Sequence, residues 1–207
     1  MKKLILAALL LLCSAAVSNA TLVTSLPSGD VVTVPNFEYF GSGPLTIVPG
    51  ISVTSTHNQS VIGYTNRYSF ASNGNWNGLN MVGLNASNGT MTFAFDAPLN
   101  AVGGFLNYAP GVGPSPTISV FDSSMNMLDS ATLGFNTGGG NNSGVFYGFQ
   151  ESNNISYFTI SDRYIGLANL TVESGSAPVP EPGTMMLLGL GMAGLAIYGK
   201  RRKNSKA

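Results

Sequence analysis

The chain predicts an all-β domain, an antiparallel jelly-roll-like β-sandwich, flanked by an N-terminal signal helix and a C-terminal transmembrane helix. Three observations lead there. Apolar side chains alternate with polar or small ones in short runs. Met91, Phe93 and Phe95 do so in residues 90–96, Ile118 and Val120 in 117–121, and Ala168, Leu170 and Val172 near the end. A period of two puts every second side chain on one face of a strand. Between the runs lie clusters of Gly, Asn, Pro and Ser, which preset turns or tolerate φ > 0. No long stretch of the interior carries the 3.6-residue apolar period of an amphipathic helix. About ten short strands, spaced every ~8–15 residues, argue for a sandwich, with a jelly roll as its favoured form.

In chain order, residues 1–20 read as a secretory signal peptide. Lys2 and Lys3 form the charged start, residues 4–12 the apolar core, and Ser18-Asn19-Ala20 a small-residue cleavage site. Cys13 follows an apolar run, as a lipid-accepting cysteine would, but Leu12 stands where such a site wants a small residue. The mature chain is therefore expected to begin at Thr21 without cysteine, which excludes disulfides and thiolate chemistry. Residues 21–175 form the ectodomain. Its expected strands are 31–40, 45–56, 61–70, 90–96, 101–108, 117–121, 127–133, 145–150, 155–161 and 168–172. Residues 122–126, Asp-Ser-Ser-Met-Asn, read as the clearest hairpin connection.

The charge balance of the whole chain is zero, which hides two unlike parts. All nine carboxylates lie between Thr21 and Pro182, where Arg67 and Arg163 are the only cations, a net charge of −7. Such a surface repels phosphate backbones and anionic lipid, so nucleic acid is not an expected partner of the ectodomain.

The residues offer little catalytic chemistry. His57 is the one histidine; no metal-ligand spacing surrounds it and no nucleophile signature accompanies it. Glu38, Asp96, Asp122, Glu151 and Asp162 are scattered, and only folding could bring two together as a glycosidase pair. Asp122, Asp129 and loop carbonyls leave calcium open as a cofactor, without an EF-hand-like spacing; no other cofactor and no metal site is expected. The most pointed feature is 73–78, Asn-Gly-Asn-Trp-Asn-Gly. Sugar sites combine an aromatic face with amides, which makes Trp76, Asn75 and Asn77 the candidate glycan contact. The competing and favoured reading has Trp76 fold inward as a plug while the asparagines make tight turns. The run Gly138-Gly139-Gly140-Asn141-Asn142 lacks the lysine and following helix of a phosphate loop and reads as a flexible hairpin tip.

Residues 176–207 have three parts: a proline-rich break containing Pro180, Glu181 and Pro182, an apolar stretch from Thr184 to Tyr198, and a basic block of Lys200, Arg201, Arg202 and Lys203. At ~1.5 Å per residue the apolar helix would span about 22 Å, short of a hydrocarbon core ~30 Å thick. Snorkelling lysines, an interfacial Tyr198 and local thinning of the bilayer can close that gap. The basic block places the C-terminus in the cytoplasm by the positive-inside rule.

This tail resembles the PEP-CTERM sorting signal of Gram-negative bacteria, with Pro180-Glu181-Pro182 as the motif. The resemblance implies exosortase as a processing partner, transient or lasting anchorage in the inner membrane, and delivery to the cell surface or extracellular matrix. It also implies a setting of exopolysaccharide and biofilm production. Residues 95–105, the hairpin after Phe121 and the closing 165–172 resemble other PEP-CTERM ectodomains, which implies a sandwich similar to carbohydrate-binding jelly rolls. Asn169 stands where a calcium-bearing jelly roll would carry an acid, which weakens an inherited metal site. The expected function is an exported, non-enzymatic surface or matrix protein. The alternatives are a carbohydrate-binding module and, less favoured, a polysaccharide hydrolase.

Overall fold

Fourteen strands and a single 3-10 turn make up the structure, a computed structural model that describes residues 20–175. The expected signal peptide up to residue 19, the Pro180-Glu181-Pro182 motif, the expected Thr184–Tyr198 span and the basic block lie outside the described residues. The strands are β1 (Thr21–Val23), β2 (Asp30–Val31), β3 (Tyr39–Phe40), β4 (Leu45–Val48), β5 (Ile51–Ser55), β6 (Val61–Tyr64) and β7 (Tyr68–Ser69). After the 3-10 turn Ala71–Asn73 come β8 (Asn75–Trp76), β9 (Met81–Gly83), β10 (Thr90–Asn107), β11 (Thr117–Phe121), β12 (Met127–Thr132), β13 (Val145–Ser161) and β14 (Gly166–Ser174). The domain is all-β. Among the described residues no helix is long and apolar enough to cross a membrane.

Twelve strands form one antiparallel sheet in the order β12-β11-β13-β10-β14-β9-β6-β3, with β1 on β13, β2 on β14, and the β4–β5 hairpin on β10. Two long strands organise it. The 18-residue β10 and the 17-residue β13 pair along most of their length, from Thr90↔Ser161 to Leu106↔Val145. Their register jumps between Ala94 and Leu99, and again between Leu99 and Ala101. The bulge falls at Asp96-Ala97-Pro98, where the proline has no N–H for the ladder and is tolerated only at such an irregularity. Sequence alone separates 90–96 from 101–108 at this point; the strand runs through it instead.

The bulge divides the sheet into two wings. Before it, β10 lies between β5 and the last part of β13, which continues to β11 and β12. After it, β10 lies between the first part of β13 and β14, which leads on to β9, β6 and β3. Val53, Phe93, Ile118 and Phe158 from the first wing share one core with Ile62, Val102, Phe149 and Leu167 from the second. The sheet thus closes over one main core in a sandwich-like way. Phe93 and Phe158 meet there with ring centroids 6.0 Å apart.

The second wing is apolar on both faces. Ile62, Val82 and Leu167 point into the main core, while their neighbours Val61, Met81 and Ala168 belong to a second, smaller one. Alternation along each strand requires those neighbours to face opposite sides. The excursion between β6 and β9, carrying β7, the 3-10 turn and β8, supplies the cover for the outer face.

Three expected strands divide. Residues 31–40 hold only β2 and β3, because Pro35 interrupts them and Glu38 takes a left-handed φ of 45°. Residues 45–56 fold into the β4–β5 hairpin, with Val48 opposite Ile51 across a two-residue turn. Residues 61–70 separate into β6 and β7.

Candidate functional site

The stretch 73–78 is where sequence places ligand chemistry, and the structure gives it a different task. Trp76 is 1% exposed. Its indole meets Phe70 edge-on with ring centroids 4.9 Å apart and packs with Val61, Met81 and Ala168. Gly166 and Gly144 lie beneath the ring, and a Cβ at Gly166 would come within 3.1 Å of it. The indole face is therefore unavailable to a sugar, and Trp76 is corrected from candidate glycan contact to plug of the second core. The cause is area: an indole buries ~150–250 Å² and gains most where an apolar sheet face lacks cover. Its N–H is buried without a hydrogen-bond partner among the described residues. Asn75 is half-buried, with Arg67 Nε donating to its Oδ1 at 3.3 Å, and Asn77 is exposed.

A polar network clamps the turn that carries Trp76. The carbonyl of Asn73 accepts from Asn107 Nδ2 (3.1 Å), Asn142 Nδ2 (2.8 Å) and Thr137 Oγ1 (2.7 Å). Asn142 Oδ1 in turn accepts from Asn107 Nδ2 at 3.1 Å and from the Gly144 amide at 2.9 Å. Gly74 has φ 80°, and a Cβ there would collide with the carbonyl of Gly140. The run 138–142 is consequently docked. Asn75 N donates to Gly140 O (2.8 Å) and Asn142 N to Asn75 O (3.2 Å), beside a parallel bridge from Asn75 to Asn141. The free hairpin tip expected from its glycines is thus corrected. Nothing in the local sequence signals these partners, since Asn73, Asn107 and Asn142 lie 34 or more residues apart.

Several of the titratable candidates sit in turns, and two lie on strands. Asp122 Oδ1 accepts the amides of Ser124 (2.8 Å) and Asn126 (2.9 Å), and Oδ2 accepts Asn126 Nδ2 (2.9 Å). Those bonds, led by the Asn126 side chain, hold its carboxyl below the usual range. Asp162 Oδ1 accepts the Gly89 amide at 3.1 Å, and Glu38 accepts Asn66 Nδ2 at 3.1 Å. Asp96 is exposed at the β10 bulge and Glu151 is buried in β13. His57 turns the chain after β5, its amide bonded to Ser55 Oγ at 3.0 Å. Among the described residues no group of three or more His, Cys, Asp or Glu is placed to hold a metal ion.

Desolvation pushes the Tyr68 phenol far above its ordinary value, with Tyr164 and Tyr64 adding to it. Tyr68 therefore stays neutral and donates toward Leu84 O (3.5 Å) or Asn85 Oδ1 (3.4 Å). A shallow cleft of about 220 Å³ separates Val31–Val34 from Gly78–Asn80. That is below the ~300–1,000 Å³ of typical ligand pockets.

Function is declared outside the sheet. Residues 178–203 match the family model described as the PEP-CTERM protein-sorting motif. The chain carries a PEP-CTERM protein-sorting motif. Its motif implies export, exosortase as the processing partner and delivery to the cell surface. The match takes in Pro180, Glu181, Pro182, the apolar stretch and the basic residues through Lys203. No curated protein and no solved structure matches the chain.

Proposed function

We propose that this protein is a non-enzymatic component of the cell surface or extracellular matrix, held in the inner membrane by its C-terminal span until exosortase acts on the tail. The observation that carries this is the sorting motif at 178–203 behind an all-β ectodomain. Proline at 180 and 182 fixes φ near −65° and removes two N–H groups, which disfavours the motif in a helix interior or a central strand. In this proposal the motif is the segment that exosortase reads. Glu181 adds a carboxylate, which is costly to bury unpaired in hydrocarbon and so favours a motif outside the bilayer.

The ectodomain suits a structural role. Its candidate carboxylates Asp122 and Asp162 hold turns, and its strands share a large core. The jelly-roll relationship belongs to this proposal, as does association with exopolysaccharide and biofilm. Intact-mass measurement on protein recovered from the cell surface tests it. The expected species begins at Thr21 and lacks the basic block. A species that retains Lys200 to Lys203, or carries lipid on Cys13, contradicts it.

A further inference from the structure

Phe37 and Phe40, exposed at the end of the second wing, belong to neither core. β3 closes the sheet path, pairing Tyr39 with Ile62 and Phe40 with Val61. Phe40 is 50% exposed and Phe37 41%, an unusual outlay of ring surface at a sheet edge. Neither ring hangs free. Phe40 meets Tyr64 edge-on with centroids 5.6 Å apart, and Tyr64 continues to Tyr68 at 6.4 Å. Phe37 lies over Gly63, where a Cβ would stand 3.2 Å from its ring. Exposed polar pairs come from the same stretches of chain: Asn66 Nδ2 donates to Glu38 Oε1 at 3.1 Å, and Asn36 Nδ2 to Thr65 Oγ1 at 3.4 Å.

We propose that Phe37, Phe40 and Tyr64, together with Asn36, Glu38 and Asn66, form a binding surface for an uncharged polysaccharide. Apolar C–H faces of a pyranose stack on rings, while amide and carboxylate oxygens accept from its hydroxyls. The rings are held in place before binding, which lowers the entropy lost on association. Charge narrows the occupant. The ectodomain, residues 21–175, is net −6, with Arg67 the one cation in this part of the sequence, so polyanionic glycans and nucleic acid are repelled. The edge also fits poorly as a template for a protein strand, since β3 offers two residues and Glu38 just before it has φ 45°. This site replaces the one centred on Trp76, and it rests on the matrix-protein reading only in supposing that such a glycan is what the exported domain meets.

The test is native affinity electrophoresis of the full chain in detergent, so that binding is read apart from sorting. Gels contain hydroxyethyl cellulose, galactomannan or dextran as neutral probes, and alginate as an anionic one. Retardation by at least one neutral probe is expected, weakened about tenfold in Phe40→Ala, the loss typical of truncating an anchoring ring. The control is Met127→Ala, a 59% exposed side chain on β12 at the opposite end of the sheet, which should bind as wild type. Equal mobility in every gel, retardation by alginate alone, or retardation unchanged by both Phe40→Ala and Phe37→Ala overturns the proposal. So does sedimentation showing a dimer that Phe40→Ala dissolves, since a second copy would then be the occupant.

Discussion

Replacing Trp76 by alanine should be among the most damaging single changes in the ectodomain. The indole is 1% exposed, rests on Phe70 and fills the space over Gly144 and Gly166. Truncating a buried aromatic costs about 3–5 kcal/mol, the sum of lost transfer and a residual cavity. An m-value of about 2 kcal/mol/M turns that into a fall of ~1.5–2.5 M in the urea midpoint. Trp76→Phe should cost less, about 1–2 kcal/mol, because it keeps a ring and removes a buried N–H that has no partner. The assay is urea unfolding of the exported protein followed by far-UV circular dichroism. Trp76 is also the only tryptophan, so wild-type emission reports on it alone. Blue-shifted emission with weak iodide quenching is expected. A Trp76→Ala loss below ~1 kcal/mol, or emission typical of indole in water, would refute the inward placement and restore the glycan reading of 73–78.

Three further outcomes follow from named contacts. Asn142→Ala removes three side-chain hydrogen bonds around Asn73 and Asn107, and should lower stability by about 2–3 kcal/mol, read from the same urea midpoint. Gly74→Ala should unfold the β7–β8 cover locally, seen as faster amide exchange at Asn75 and Gly78, because its φ of 80° and the Gly140 carbonyl leave no room for a methyl group. The Asp122 carboxyl is depressed on folding, so its stabilisation is present above the unfolded value near pH ~3.9 and fades as pH falls through the lower folded value. Amide exchange at Ser124 and Asn126 should quicken over that acid window in wild type, and Asp122→Asn should remove the pH step.

Local patterns made much of the fold legible. The alternation in 117–121 returns as β11 with the bounds read from sequence, and 127–133 returns as β12 within a residue. Between them Asp122 and Asn126 make the turn that their side chains favour. Long-range pairing was not legible. Pro98 reads as an end to 90–96, yet two strands on either side carry β10 through the bulge. Trp76 among asparagines reads equally as platform or plug, and the choice depends on Val61, Met81 and Ala168 lacking other cover. The exposed rings of 37–40 were hidden inside an expected strand, where alternation would bury every second one. A left-handed Glu38 breaks that pattern.

The proposed function requires that Pro180-Glu181-Pro182 direct processing, with the apolar stretch and basic block serving to hold it in position. Its most direct test is Glu181→Ala in the native host, with the C-terminal tail followed by an antibody against residues 199–207. The account predicts that the variant stays full-length in the inner membrane while wild type loses its tail and reaches the surface. A Glu181→Ala protein that is processed and released as wild type is would contradict it, and would make the segment a stem for an ordinary anchor.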